Sequence, residues 1–440
     1  MKTISYRMFL TGIIALMLFA GCGQQAGNIA LDTEGYGRAS LANGITVLIN
    51  HDETTSLTAA RILIGGGVMS ETAENNGITN LMIKMLLKGN EVMTATEVTD
   101  RLDFLGASVT ADCYRDYSAI SVVSLTENFN EVMRIVGRSL IAPTFPEDEL
   151  GKLKHEVIGD IMEIDEDLSQ ASSKLFWATV YGEQGYGLST NGTEESIAGI
   201  TAGDIRAHYE KYVGGANVLF SIATDLMPER IVAVVQEHLG GLKKEATSVG
   251  TVALTGSAQK DGFIPFDRNQ SFVYMGYALP HLQPREMACV ILLNEIMGNN
   301  VGSRLWYLRQ TEKLAYSVYT QYIFNKNDAV FRAAIGTDTS KVKIALASLN
   351  REMDSLVRVG ITEGELADAK INMKNHLIYG IDRKSTRANN MAYYEYIGCT
   401  YRTILDLIEL ADQISLDEVN AFVKTNLTDD RHYVSIVGRK

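Results

Sequence analysis

Ile200-Thr201-Ala202-Gly203-Asp204-Ile205 is answered 214 residues later by Ile414-Ser415-Leu416-Asp417-Glu418-Val419. This pair decides the fold. Each stretch is a capping box: Thr201 or Ser415 opens a helix, and Asp204 or Glu418 reaches back to it from three residues on. Each runs on for about ten residues with amphipathic helical spacing. Each then ends in a short apolar strand, Asn217-Val218-Leu219-Phe220-Ser221-Ile222 and His432-Tyr433-Val434-Ser435-Ile436-Val437. A second echo lies upstream, where Phe145-Pro146-Glu147-Asp148-Glu149-Leu150 matches Ile361-Thr362-Glu363-Gly364-Glu365-Leu366 at an offset of 216. Self-similarity at half the chain length implies two homologous domains.

Working outward, Gly240-Gly241 closes the first half, and a polar stretch with Thr247, Ser248, Gly250, Thr255, Gly256 and Ser257 leads to a new strand over 271–278. The plan is a leader at 1–21, a tether at 22–37, a first domain at 38–240, a linker at 241–262 and a second domain at 263–440. Residues 46–49 and 59–64 read as strands. Thr94-x-x-Glu97 opens a helix with Val98, Leu102 and Leu105 on one face, closed by Gly106. Residues 109–111 and 119–123 read as hairpin strands. The expected fold class is α+β: two homologous domains, each a mainly antiparallel sheet with helices packed on one face.

Composition narrows the function. The chain has 440 residues, 46% hydrophobic and 21% charged, too apolar for a disordered protein and too long for one core. With 53 acids against 40 bases the net charge is −13, and no Lys/Arg run is sustained. Nucleic acid is therefore not expected as a partner. Only the start is apolar enough to enter a bilayer, which excludes a multi-span membrane protein. There, Lys2 and Arg7 precede a short apolar run from Met8 to Ala20, ending Leu18-Phe19-Ala20-Gly21-Cys22. This reads as an export signal. Its ending resembles a bacterial lipobox, which implies cleavage before Cys22 and lipid on that residue; a plain signal peptide and an uncleaved anchor are the alternatives. Residues 23–28 look like a flexible tether. Cleavage removes two bases and no acids, so the mature charge is −15. Gly23 after the lipidated cysteine points to the periplasmic face of the outer membrane, if the host is a diderm using the enteric sorting rule. Cys113, Cys289 and Cys399 are odd in number and widely spaced, so they read as buried thiols and give no disulfide framework.

The motifs from Leu41 onward carry a resemblance. Leu41-Ala42-Asn43-Gly44-Ile45-Thr46-Val47, Gly65-Gly66-Gly67 with Glu71, the stretch from Gly77 to Gly89, and Gly298-x4-Ser303-Arg304-Leu305-x3-Arg309-x4-Leu314-Ala315-Tyr316-Ser317 follow one another in the order and spacing of a family. The chain resembles the pitrilysin/insulinase-type zinc metallopeptidases, in their mitochondrial-processing-peptidase-like branch. That family carries an inverted zinc motif, H-x-x-E-H, with two imidazoles one helical turn apart and a glutamate general base between them. Here the three positions are Asn80, Ile83 and Lys84. An amide oxygen is a weak ligand, an isoleucine moves no proton, and a lysine cation opposes Zn²⁺. The resemblance makes Glu163, seven residues after Glu156, a vestige of the third ligand. One carboxylate does not hold a catalytic zinc. The residues alone read as a core helix with Ile78, Leu81, Met82, Met85 and Leu86 on one stripe, and Glu156, Asp160 and Glu163 as an acidic helix face. Lys84 paired with Glu163 would put a salt bridge where the family has metal.

In two-chain members of the family the subunit without zinc lends an Arg and a Tyr to a shared chamber. Arg309 and Tyr316 match that pair. A guanidinium or phenol there would stabilise the carbonyl oxygen as it gains charge; a solvated helix-end cation and a core-filling strand aromatic are the plain alternatives. Thr110 and Ala111, within Gly106-Ala107-Ser108-Val109-Thr110-Ala111, resemble the family's substrate-binding edge strand, where a peptide adds as a further strand. The resemblance thus implies a non-catalytic lipoprotein subunit with no cofactor of its own. Zinc would sit in a partner, a homologous chain with an intact motif, and unfolded peptides would be the substrates. The alternatives are a peptidase-like scaffold or binding lipoprotein with no proteolytic role, and an enzyme active alone through an unrecognised metal site.

Overall fold

Thr94, Thr201, Thr362 and Ser415 each accept a hydrogen bond from the backbone N–H three residues on, and the acid at that position bonds back in every case. The helix starts legible in sequence are thus the helix starts of the fold. The computed structural model describes residues 29–249, 257–298 and 300–439. The leader, Cys22, residues 23–28 of the tether and residues 250–256 of the linker lie outside the described residues.

The first half builds a sheet from β1 (Tyr36–Ser40), β2 (Thr46–His51), β3 (Leu57–Gly65), β4 (Ser108–Cys113), β5 (Tyr117–Leu125) and β6 (Val218–Thr224), in the order β1-β2-β6-β3-β5-β4. The second half builds another from β7 (Asp261–Pro265), β8 (Gln270–Pro280), β9 (Ser317–Phe324), β10 (Asp328–Asp338) and β11 (His432–Gly438), in the order β7-β11-β8-β10-β9. Only β2–β6 and β7–β11 are parallel, so both sheets are mixed but mainly antiparallel. β7 begins inside the segment expected to be linker. Among the described residues no helix is long and apolar enough to cross a membrane.

Each half packs its own helices on one face of its sheet. In the first, Leu81 and Met85, Phe129 and Val136, and Ile205 close over Ile62, Ile120 and Phe220. The other face is covered by a helix from the opposite half. Helix Leu168–Tyr181 places Phe176, Trp177 and Val180 against Phe272, Tyr274, Val330 and Ala334 of the second sheet. Helix Lys384–Tyr396 places Ala392 against Leu63, Tyr117 and Ala119, and Met391 against Tyr36 and Leu48, on the first. This explains why β3 is buried along almost its whole length: both of its faces are covered, and its sequence accordingly runs apolar without alternation.

The exchange is repeated with the duplication. Buried Ser221 of β6 donates to Ala388 O at 2.6 Å, and buried Ser435 of β11 donates to Ser172 O at 3.1 Å. Donors and acceptors are each one repeat apart. Gly262 of β7 lies so close to the exchanged helix that a Cβ would overlap the Thr179 hydroxyl. Lys384 pins the start of its helix by donating to Asp52 O, Thr55 O and Leu57 O at 2.7, 2.7 and 3.0 Å.

Candidate functional site

Helix Ile78–Met85 carries the positions of the zinc motif, and its geometry starts at Gly77. With φ at 93°, Gly77 takes a left-handed turn that an L side chain resists, and a Cβ there would press on Ile197 and Asn191. The open N–H groups behind that turn are met by Glu71. Its carboxylate accepts from Gly77 N and Asn76 Nδ2 at 2.8 Å each and from Thr79 N at 2.9 Å. Burial pushes the Glu71 carboxyl up to about 7, against the pull of these donors. On the far side, His208 Nε2 sits 3.0 Å from Thr79 Oγ1, and burial pushes the imidazole down to about 4, so it is neutral. Glu71 and His208 fix the start of the helix, and among the described residues no hydrogen bond or ion pair joins them to the three motif positions.

Two of those three positions serve packing and an ion pair, and the third is a buried amide. Asn80 is 3% exposed and its Nδ2 finds no acceptor. Ile83 is 0% exposed, inside the main core of the first half. Lys84 lies 3.7 Å from Asp160 on helix Glu147–Glu166. The pairing with Glu163 expected from sequence is corrected here: the crossing of the two helices puts Asp160 opposite Lys84, while Glu156 and Glu163 are exposed. His155 is also exposed, with Nδ1 2.7 Å from Gly151 O. Zinc does not fit this donor set. An amide nitrogen, a core isoleucine and a paired ammonium occupy the coordinating side, and among the described residues no three His, Cys, Asp or Glu side chains cluster closely enough to hold a metal ion.

Beside this helix runs β4, the last strand of the first sheet, whose outer edge pairs with no strand among the described residues. Val109 and Ala111 lean on the core, while Thr110 is exposed and donates to Asp112 at 3.3 Å. The helix and the edge strand are therefore neighbours. β4 ends at Cys113, whose thiol burial pushes well up, with the charges of Glu71 and Lys84 both acting on it. It is not a nucleophile poised as thiolate.

Arg309 and Tyr316 lie on the other half. Arg309, at the end of the short helix Trp306–Gln310, is exposed and sits 5.0 Å over the Trp306 ring. Tyr316 is 59% exposed, not core-filling, and its N–H donates to Gly336 O at 2.8 Å as the chain enters β9. β9 is one of the two edge strands of the second sheet among the described residues. Among the described residues no hydrogen bond, ion pair or ring contact joins either side chain to the Ile78–Met85 helix or to β4. Arg304 of the same motif has a structural role: it holds Glu365 with two bonds of 2.6 and 2.8 Å and Gly360 O at 2.8 Å. The second half also repeats the helix-to-helix pairing of the first: Glu295 on helix Pro284–Met297 meets His376 on helix Glu363–Tyr379 at 2.9 Å.

Fold and site thus define a duplicated peptidase-like chain whose zinc positions are rebuilt as packing. The chain belongs to the insulinase family of peptidases, family M16. The model for "Insulinase (Peptidase family M16)" matches residues 46–194, and that for "Peptidase M16 inactive domain" matches residues 199–373. A Bacillus subtilis protein called an uncharacterized zinc protease, YmxG, is 23% identical over 401 residues, covering 89% of this chain and 96% of its own. A solved structure described as a peptidase M16 inactive domain from Pseudomonas fluorescens superposes with a TM-score of 0.85 at 20% identity, covering 92% of this chain and 98% of that one. The periplasmic protease PqqL from Escherichia coli superposes with a TM-score of 0.78 at 17% identity, covering all of this chain and 49% of PqqL.

Proposed function

We propose that the protein is the non-catalytic, lipid-anchored subunit of a heteromeric zinc peptidase. It is exported and held through Cys22, at the periplasmic face of the outer membrane. Its partner is a homologous chain with an intact zinc motif, and the two close around unfolded peptides. One observation carries this reading: the zinc positions are held by a buried amide, a core isoleucine and an ion-paired lysine, while the β4 edge, Arg309 and Tyr316 stay open to solvent. That this chain spans about half of PqqL supports a working unit of two such chains.

The partner's zinc would supply the activated water. From this chain β4 would offer its free N–H and C=O groups to an extended peptide, a contact tolerant of sequence. Arg309 and Tyr316 would donate to the scissile carbonyl oxygen as it gains charge. A charge-assisted bond of that kind corresponds to about tenfold to two-hundredfold in rate.

The test is peptide cleavage by this chain, by the zinc-bearing homologue, and by both mixed. The expected result is turnover that rises on mixing and falls by about that factor with Arg309→Ala. No gain on mixing would refute the subunit reading in favour of a scaffold. An unchanged rate with Arg309→Ala would remove the arginine from the mechanism.

A further inference from the structure

At the seam between the halves, the turn from β4 to β5 faces the end of β9 across a half-open cavity of about 350 Å³. Two arginines reach it, one from each half. Arg332 of β10 is 6% exposed; its Nε and Nη2 donate to Gln321 Oε1 at 3.1 and 2.9 Å, and its Nη1 finds no acceptor. Its guanidinium lies 4.0 Å from the Tyr274 ring. Arg115 donates from Nε to Tyr186 O at 3.1 Å and stacks 3.9 Å over Trp177. Among the described residues, the two terminal nitrogens of Arg115 have no protein acceptor, and neither arginine has a carboxylate within ion-pair distance.

The nearby acids are already engaged. Asp116 accepts from the Tyr186 hydroxyl and from Lys326 N, the latter at 2.9 Å. Asp328 accepts from the Tyr181 hydroxyl at 2.7 Å and from Asn325 Nδ2 at 2.9 Å. Burial pushes the Asp116 carboxyl up, and pushes Asp328 up to about 7, so the counter-charge of Asp328 is incomplete near neutrality. Burial lowers Arg115 only to about 10, so it stays cationic. A buried guanidinium with an idle donor is costly, and the two terminal nitrogens left on Arg115 can meet the two oxygens of a carboxylate. Tyr114, Trp177, Ile323 and Tyr393 give the cavity aromatic and aliphatic wall, and Thr190, Asn325 and the engaged Asp116 give it polar wall.

We propose that this cavity binds a carboxylate carried on an apolar or aromatic body, from a peptide C-terminus or an acidic side chain. The site lies wholly within this chain and goes beyond the subunit reading; it needs no zinc partner.

Isothermal titration calorimetry on the full chain tests it with three probes: N-acetylphenylalanine, its amide, and N-acetylaspartylphenylalaninamide. The expected result is that one or both acids bind at least about tenfold tighter than the carboxyl-free amide, and that Arg332→Gln abolishes the difference. Binding of the first acid alone assigns a chain terminus; binding of the aspartyl probe alone assigns a side chain. If Arg332→Gln fails to fold, Arg115→Gln supplies the same comparison. Equal binding of all three, binding of none, or an unchanged preference in a folded variant would overturn the proposal.

Discussion

Ile83→Glu restores the family's general base at the motif position that packs in the hydrophobic core. Ile83 is 0% exposed, so the exchange first forfeits the burial of an isoleucine, about 2–3 kcal/mol. It then places a carboxyl among apolar side chains with no donor to meet it. A rise of about three pKa units, ordinary for such a site, adds about 4 kcal/mol at pH 8. The sum approaches the whole stability of many proteins. The sign fixes the pH dependence. An acid whose folded pKa is raised binds more protons folded than unfolded. The ionisation cost is therefore absent below about pH 4.3, grows above it, and is complete above a folded pKa of about 7. The assay is urea unfolding followed by far-UV circular dichroism at pH 5 and pH 8, parent against variant. The variant should be weaker at both and far weaker at pH 8. Parent-like stability at pH 8, or a stoichiometric zinc in the variant, would refute the claim that this position has become core.

Lys84→Met should cost less than about 1 kcal/mol, because the Lys84–Asp160 pair is partly exposed; 1 M salt should weaken the parent similarly, and a loss above about 2 kcal/mol in unfolding experiments would contradict this. Glu71 is raised to about 7, so its contribution declines as pH rises from about 4.5 through 7, by up to about 3 kcal/mol. Glu71→Gln should remove that slope from a plot of stability against pH, and an unaltered slope would assign it elsewhere. Lys384→Met strips donors from three carbonyls of the first half and should cost about 3 kcal/mol, read as a lower calorimetric Tm; an unshifted Tm would mean the exchanged helix needs no such anchor.

The duplication, the capping boxes at Thr94, Thr201 and Ser415, and the alternation of strands and helices were legible because they are local. A cap is written within four residues and a strand within six. The vacancy of the zinc motif was legible for the same reason, since Asn80, Ile83 and Lys84 lack the chemistry wherever they sit. The free edge of β4 could be expected only through the resemblance, because strand order is set by pairings over a hundred residues apart, such as β3 with β6.

What tertiary structure alone decided was which surfaces meet. Helices Leu168–Tyr181 and Lys384–Tyr396 have nothing in their own sequence that names the sheet they cover, and each crosses to the other half. Asp160 and Glu163 are both within reach of Lys84 in sequence terms; a helix crossing, fixed by packing on both sides, selected Asp160. Arg115 and Arg332 are 217 positions apart, and only the seam brings them to one cavity. The sequence by itself determined the elements, the repeat and the missing ligands, since propensity and side-chain chemistry act over short range. The partners of Lys84, Glu71 and the two seam arginines came from the fold, since burial and proximity between distant segments exist only once the chain has closed.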